Sequence, residues 1–484
     1  MPSDANLKLR AVRGFGWVLP FTALGKAAQF LAYMILAKLL APEEFGTFAL
    51  ALVVIEALYM FREMGMTPAL IQKDKDVDKA FGVGLILLPV YGFALYFLIF
   101  FLAPAFGKLV NNPDIVPLIR VIALSLPISS LGVLPCIWFQ REIDFKRKSI
   151  PELIAALFGA LLSISLAYFG YGVWSLAFGR IGYEASLTIS FWLAANKKWK
   201  PQWDWREARI LFKFGGAVSV GSALISFYYI IDKTLVGKYF GEVSLGFYSF
   251  AFKIGTISAL NLILPMSMVM LPVMTRVKDN TVELASAIGK NSSLNAFITT
   301  PISLGIILFS RDLLHILYGE KWDGAILLLQ IFAIYSFFWS AIMPRLNALL
   351  AVGKARVFLQ VQVFKIALAG GLSLILIKHI ASEHIALIFT ATFGIFWIYS
   401  MILIAQYTKT SVIYFLREEF PYLASALICL LLYSQLVKFD LNLGLNIIII
   451  FLVYSVLIFL TAKTMVIDIF RQVKRIIFKQ NQSE

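Results

Sequence analysis

Phe45-Gly46-Thr47-Phe48-Ala49-Leu50-Ala51-Leu52-Val53-Val54-Ile55-Glu56-Ala57-Leu58-Tyr59-Met60-Phe61-Arg62-Glu63-Met64-Gly65-Met66-Thr67-Pro68 is apolar for the width of a bilayer. Yet it carries Glu56 near its middle and Arg62 and Glu63 a turn or two beyond. A helix needs about 20 predominantly apolar residues to cross the hydrocarbon core. Each charge held at the bilayer centre costs about 2.5 to 3.5 kcal/mol on insertion scales, so a helix that keeps one turns it toward a water-filled path or a partner. The stretch predicts a membrane helix with one face reserved for chemistry or for pairing. The pattern recurs along the chain, giving spans over residues 14–40, 45–68, 82–106, 117–139, 150–169, 172–195, 210–237, 244–271, 292–317, 326–352, 357–378, 384–407, 420–437 and 443–467. Barrel strands would alternate over ten-residue segments, whereas these runs are apolar on all faces. The predicted fold is an all-α integral membrane protein with about 14 transmembrane helices.

Composition agrees. The 484 residues are 60% hydrophobic and the mean hydropathy is +0.82, more apolar surface than a soluble core of this size can use. The net charge of +15 does not imply nucleic acid, because the basic residues sit in short connectors and form no basic domain or arm. They follow the positive-inside rule instead. Lys8, Arg10, Arg13, Lys73, Lys75, Lys79, Arg141, Lys146, Arg147, Lys148, Lys197, Lys198, Lys200, Arg206, Arg209 and Lys213 fall on one side. Arg276, Lys278, Lys290, Lys354, Arg356, Lys409, Arg417, Arg471, Lys474, Arg475 and Lys479 continue that side to about 27, against about six on the other: Lys108, Lys238, Arg311, Lys321, Lys378 and Lys438. Both termini are therefore expected in the cytoplasm. Cys136 and Cys429 lie inside apolar runs, which excludes a disulfide framework. The first apolar run has no small-residue cleavage site behind it and reads as a retained span, not a signal peptide.

Two parts of the chain match at an offset of about 200 residues, the signature of internal repeats in a transporter. Arg13-Gly14-Phe15-Gly16 matches Lys213-Phe214-Gly215-Gly216, Ala23-Leu24 matches Ala223-Leu224, and Lys38 with Glu44-Phe45-Gly46 matches Lys238 with Ser244-Leu245-Gly246. Pro127 and Pro135 followed by Phe145-Lys146-Arg147 echo, more weakly, Pro344 followed by Gly353-Lys354-Ala355-Arg356. Six spans per repeat divide the chain into an N-terminal lobe (1–209), a C-terminal lobe (210–410) and two additional helices with a basic cytoplasmic tail (411–484), the last preceded by the polar connector Tyr407 to Glu419. The connector Lys197-Lys198-Trp199-Lys200-Pro201-Gln202-Trp203-Asp204-Trp205 suits anionic lipid head groups. The simpler reading is a linker between lobes whose tryptophans anchor at the interface.

The charges inside the spans set the chemistry. Lys26, Arg62, Lys253, Arg345 and Lys365 outnumber the anions Glu56, Glu63 and Asp232, and Arg180 with Glu184 reads as an intrahelical pair at i and i+4. A cavity lined in this way has a positive potential and suits an anionic substrate such as a phosphate or pyrophosphate. Lys26 and Lys253 are too deep to snorkel comfortably; Lys233, Arg345 and Lys365 lie within reach of an interface. Asp232, Glu56 and Glu63 are candidates for proton or cation coupling, with pairing to a nearby lysine as the competing role. Pro20, Pro89, Pro127, Pro135, Pro265, Pro272, Pro301 and Pro344 can break or kink the spans. His315, His379 and His384 have no metal spacing, and no P-loop, dinucleotide turn or nucleophile elbow is present. The residues call for no metal and no cofactor, and argue against an ATP-driven pump unless a partner supplies the motor.

Several turns resemble the multidrug/oligosaccharidyl-lipid/polysaccharide exporter (MOP) superfamily, in particular its polysaccharide transporter branch of Wzx-type flippases similar to colanic acid exporters. Leu36-Ala37-Lys38-Leu39-Leu40-Ala41-Pro42-Glu43-Glu44-Phe45-Gly46 resembles the family's turn after the first span, and Met64-Gly65-Met66-Thr67-Pro68-Ala69-Leu70-Ile71-Gln72 its "Gls-AliQ" stretch. Phe139 to Lys146, Gly170-Tyr171-Gly172-Val173-Trp174-Ser175-Leu176, Asp232, Gly237, Leu245-Gly246-Phe247-Tyr248-Ser249 and Pro272-Val273 continue the likeness. The family's acidic residue before "Gls" is usually Asp; here Glu63 lies one residue earlier relative to Gly65. The resemblance implies two six-helix lobes around a V-shaped cavity, two extra C-terminal helices, and transport of an undecaprenyl-pyrophosphate-linked oligosaccharide across the bacterial inner membrane, driven by an ion gradient. Membrane lipids, a polysaccharide polymerase and assembly proteins are the implied partners. Other readings are a drug or cation antiporter of the same superfamily, which would want an acidic cavity, and a membrane glycosyltransferase or polymerase, which would carry a large extramembrane loop. The longest connector, about 20 residues, favours a transporter over an enzyme, and the charges inside the spans favour it over a non-transporting scaffold.

Overall fold

The computed structural model describes residues 4–462 apart from 60, 64, 72, 74 and 440, and within that range the side chains of all but residues 4–19, 213–229, 265, 268 and 269. The basic tail from Arg471 to Lys479 and the side chains of Lys8, Arg10, Arg13 and Lys213 lie outside the described residues. The described chain is helical throughout, without strands. It falls into two compact units, Met1–Phe250 with Leu376–Ser382, and Ala251–Ile375 with Glu383–Glu484.

Unit 1 contains α1 (Asp4–Leu39), α2 (Pro42–Tyr59), the short α3 (Met66–Ile71), α4 (Val77–Leu109), α5 (Ile115–Ala123), α6 (Ser125–Arg141), α7 (Phe145–Tyr168), α8 (Val173–Ala194) and most of α9 (Trp205–Gly255). Helix α7 packs between α1 and α8, and α6 between α4 and α8. The α7–α8 seam is built from small residues. A Cβ on Gly159 would meet Tyr183 Cβ at 2.8 Å, and one on Gly179 would fall 1.6 Å from Ser163 Oγ. Without a hydrophobic drive between helices in lipid, such close backbone approach is what holds them together. Helix α9 breaks at Gly241, whose φ of 82° is open to glycine at no steric cost. That break brings the two matching turns into contact: a Cβ on Gly46 would lie 1.7 Å from Glu242 O, and one on Gly246 1.9 Å from Pro42 O. The two segments matched in the sequence thus pack backbone to backbone at Gly46 and Gly246, with Glu242 accepting from Thr47 Oγ1 at 2.7 Å and from Asn112 Nδ2.

Unit 2 contains α10 (Leu264–Arg276), α11 (Thr281–Tyr318), α12 (Ile326–Ala351), α13 (Ala355–Leu376), α14 (Ser382–Thr408), α15 (Val412–Leu436) and α16 (Leu443–Thr461). Asn280, Ser411 and Asn442 cap α11, α15 and α16 by accepting from amides of the first turn, as their short polar side chains favour. Helix α11 packs on α12 and α15, and α15 on α16.

Among the described residues, eight helical stretches are long and apolar enough to cross a membrane: Val77–Leu109, Ile115–Arg141, Phe145–Tyr168, Thr281–Ala351, Ala355–Leu376, Ser382–Thr408, Val412–Phe439 and Leu443–Thr461. Phe101, Leu161, Leu193, Phe451 and Leu460 stand outward while Ser, Thr, Asn, Glu and Arg are buried, the inverse of a soluble protein. The chain is a multi-pass membrane protein. Two expected spans are not continuous: 45–68 is α2, a turn and α3, and 244–271 is interrupted between Gly255 and Leu264. Glu419, assigned from sequence to a polar connector, is inside α15 and fully buried.

Candidate functional site

The interruption after α2 builds the site. The amides of Phe61 and Arg62 close back on the carbonyls of Leu58 and Tyr59 at 2.9 and 3.2 Å, Gly65 adopts φ 61°, and Met66 N restarts the helix by donating to Glu63 O at 2.8 Å. Pro68 falls in the first turn of α3, where its missing N–H breaks no helical bond. Arg62 and Glu63 thus ride on a turn and line a cavity of about 230 Å³ with Tyr59, Thr67, Cys136 and Gln140 of α6, Glu152 of α7, and Tyr183, Glu184 and Thr188 of α8.

Every carboxylate here has a cation beside it. Glu63 Oε1 lies 3.1 Å from Arg62 Nη2, Glu184 Oε1 3.4 Å from Arg180 Nε, and Glu152 Oε1 3.6 Å from Lys148 Nζ. Tyr59 joins the first two pairs. Its hydroxyl donates to Glu184 Oε1 at 2.7 Å, while the guanidinium carbons of Arg62 and Arg180 lie 4.0 and 4.9 Å from its ring centroid, within cation–π range. Thr67 Oγ1 donates to Glu63 Oε2 at 2.7 Å. The volume holds several waters, enough for a hydrated ion or a proton relay, and lies below the roughly 300–1,000 Å³ of ordinary ligand pockets.

The structure brings Arg62, Glu63, Arg180 and Glu184 together, and the Arg180–Glu184 pair read from i,i+4 spacing is present as one side of this cavity. Asp232 and Glu56 lie outside this cavity in unit 1, each beside Lys233. Buried Asp232 accepts from Tyr248 OH at 2.9 Å and from the Lys233 amide at 2.7 Å, and Lys233 Nζ is 3.9 Å from Glu56 Oε2. Lys26 and Lys253 have exposed side chains. In unit 2, Arg345 Nη2 is bound to Glu419 Oε1 at 2.5 Å, Trp397 Nε1 donates to Glu419 Oε2 at 2.6 Å, and Arg345 Nη1 donates to Ala341 O at 2.8 Å. Lys365 is buried with its ammonium 4.7 Å from the Phe393 ring centroid. Sequence reading missed Tyr59, Thr67, Tyr183, Glu152, Trp397 and Glu419. Tyr59 stands three residues before Arg62, which was the available signal; nothing local singled out the others.

These helices, breaks and buried charges define a class, the helical membrane transporter. The chain superposes on the lipid II flippase MurJ in its inward closed conformation with a TM-score of 0.75, at 14% identity, over 93% of this chain and 100% of that one. It superposes on a multidrug resistance MATE family transporter of the MOP superfamily, inward-facing, with a TM-score of 0.66, at 16% identity, over 79% and 96%. By sequence it is 23% identical to the lipopolysaccharide biosynthesis protein WzxC of Escherichia coli (strain K12) over 74% of each chain. It is 24% identical to the succinoglycan biosynthesis transport protein ExoT of Rhizobium meliloti (strain 1021) over 67% of this chain and 66% of that one. The model of the polysaccharide biosynthesis protein family matches residues 35–327, and the chain belongs to that family.

Proposed function

We propose that this protein is a flippase that carries an undecaprenyl-pyrophosphate-linked oligosaccharide across the bacterial inner membrane for surface polysaccharide assembly, by alternating access coupled to an ion gradient. The reading rests on one observation above others: a polar cavity lined by Arg62, Glu63, Glu152 and Glu184, with Lys148 and Arg180 paired to the last two carboxylates from beside it, inside a bundle whose outer surface is apolar. A pocket of that size and charge suits the coupling ion, whereas the cargo needs cations elsewhere. Lys26 and Lys253 are assigned to the pyrophosphate, since an ammonium bonded to a phosphate oxygen is among the stronger hydrogen bonds available; Arg62, read from sequence as a third such cation, is assigned instead to the ion cavity with Glu63. Asp232, Glu56 and Glu63, joined now by Glu184, are assigned to coupling. Arg345 with Glu419, and Lys365 against Phe393, are assigned to holding unit 2 together. In this reading residues 1–209 and 210–410 are the two six-span lobes, residues 411–484 the additional pair and tail, both termini face the cytoplasm, and a polymerase receives the product.

The cavity carboxylates raise the competing reading of a drug or cation antiporter. Pairing of Glu63, Glu152 and Glu184 with Arg62, Lys148 and Arg180 leaves that cavity without net negative charge and argues against it. The test is transport in proteoliposomes loaded with a pyrophosphate-linked lipid oligosaccharide. Wild type is expected to expose the head group on the opposite leaflet. Lys26→Ala and Lys253→Ala are each expected to slow this about tenfold, the worth of one hydrogen bond to a charged group, with insertion unchanged. Unchanged rates in both would remove these lysines from the proposal, and export of cationic drugs without lipid flipping would overturn it.

A further inference from the structure

The connector over residues 196–204 and the first turns of α9 do not behave as a plain linker. Trp199, read from sequence as an interface anchor, is buried: it stacks on Phe81 at 5.2 Å and meets Trp138 edge-on at 5.5 Å. The connector is pinned across the start of α4, where Gln202 N donates to Gly82 O at 3.4 Å and a Cβ on Gly82 would strike Lys200 O at 2.7 Å. Three ion pairs fasten it further: Lys197–Asp78 and Lys79–Asp204, each at 2.5 Å, and Lys73–Glu207 at 2.6 Å. The Lys79 ammonium hydrogen-bonded to Asp204 holds that carboxyl below the usual carboxylate range, and Asp76 lies close enough to act on the same ammonium.

These pairs engage Asp78, Asp204 and Glu207, and Asp76, the remaining described carboxylate at the start of α4, acts on Lys79 and not on the cations of the connector. Lys198, Lys200, Arg206 and Arg209 remain exposed, and none is in an ion pair among the described residues. Beside them the indoles of Trp203 and Trp205, 43% and 77% exposed with ring centroids 5.0 Å apart, stand out with Ile210 and Phe212. Uncompensated cations beside outward indoles match one surface, the head-group layer of a membrane, where the charges meet phosphate and the indoles sit between water and acyl chain. Rigid pinning makes the four charges a fixed array instead of a loose tether.

We propose that this array is a binding site for anionic phospholipid, fastening the start of α9 to the charged leaflet. The test uses the purified full chain in detergent, titrated with phosphatidylglycerol, phosphatidylcholine or inorganic phosphate, with retained lipid read by native mass spectrometry and unfolding read by thermal shift. Wild type should retain and be stabilised by phosphatidylglycerol, and by neither other probe, with the effect fading as salt rises. K198Q/K200Q/R206Q/R209Q should lose at least about tenfold in phosphatidylglycerol retention, since each basic residue near an anionic surface contributes about 1 kcal/mol. K198Q/K200Q, confined to the connector, should lose part of it should the fourfold variant not fold. R276Q/K278Q, on exposed cations of α10 and the turn after it, should lose none. Wild-type retention in both connector variants, an equal loss in R276Q/K278Q, or equal stabilisation by inorganic phosphate would overturn the site.

Discussion

The two compact units each pair an arginine with a glutamate inside the helical bundle, half-buried in one and sealed in the other, and they use the pair to opposite ends. In unit 1, Arg62–Glu63 and Arg180–Glu184 border about 230 Å³ of polar space. In unit 2, Arg345 and Glu419 are 1% and 0% exposed, and the hollow beside Arg345 measures about 10 Å³, room for one water at most. The side chains are the same; the free volume beside them differs. Where water or an ion can reach a pair, its protonation and geometry can change during a cycle. A sealed pair is fixed once the helices have packed, and its cost of desolvation is offset only while both partners remain.

The largest effect should therefore come from breaking the sealed pair. Arg345→Ala or Glu419→Ala alone leaves a charge in a dry interior and should cost about 3–5 kcal/mol, read as a large fall in the melting temperature of the purified protein. R345M/E419L, which removes both charges and keeps apolar volume, should recover most of that loss. A double variant as unstable as the singles, or singles as stable as wild type, would end the contrast with the cavity.

The cavity pairs should fail in the other currency, transport. Glu184→Gln keeps an oxygen for Tyr59 OH and removes the titratable charge. It is expected to lower coupled flipping at least about tenfold while destabilising by no more than about 1–2 kcal/mol, the scale of one altered hydrogen bond. Arg62→Ala should behave likewise and should also remove the cation over the Tyr59 ring. A melting-temperature loss as large as that of Arg345→Ala, with transport per folded molecule intact, would place Glu184 with the sealed pair.

Helix positions were legible from sequence because hydropathy is summed over some twenty residues and tolerates local error. The all-helical membrane fold and the family followed from that layout and from the turn motifs. The break at Tyr59–Met66 was not legible: Met60, Phe61 and Met64 keep the run apolar, and Gly65 alone does not distinguish a tolerated helix glycine from a left-handed turn. That one ambiguity hid the cavity. Arg180 and Glu184 were found together because four residues make them neighbours on a helix, whereas Arg345 and Glu419, 74 positions apart, carry no local mark of each other. The repeat was readable as matched glycines, but that Gly46 and Gly246 pack against one another is a tertiary fact that pattern alone does not contain.

Lys365 gives the smallest predicted effect and the sharpest check on the contrast. It is buried in unit 2 with its ammonium over the Phe393 ring, so its long stem packs while its head uses an aromatic face. Lys365→Met keeps the stem's volume and gives up the cation–π contact, worth about 0.5–2 kcal/mol. Near-isosteric core exchanges usually cost under about 1.5 kcal/mol, so a shift of a few degrees and flipping within about twofold of wild type are expected. If flipping fell tenfold at an unchanged melting temperature, burial in this conformation would not be enough to class a charge as structural. Lys365 would then join the residues that meet the cargo or its ion, and free volume beside a pair would have to be compared across conformations before it could separate the two kinds of site.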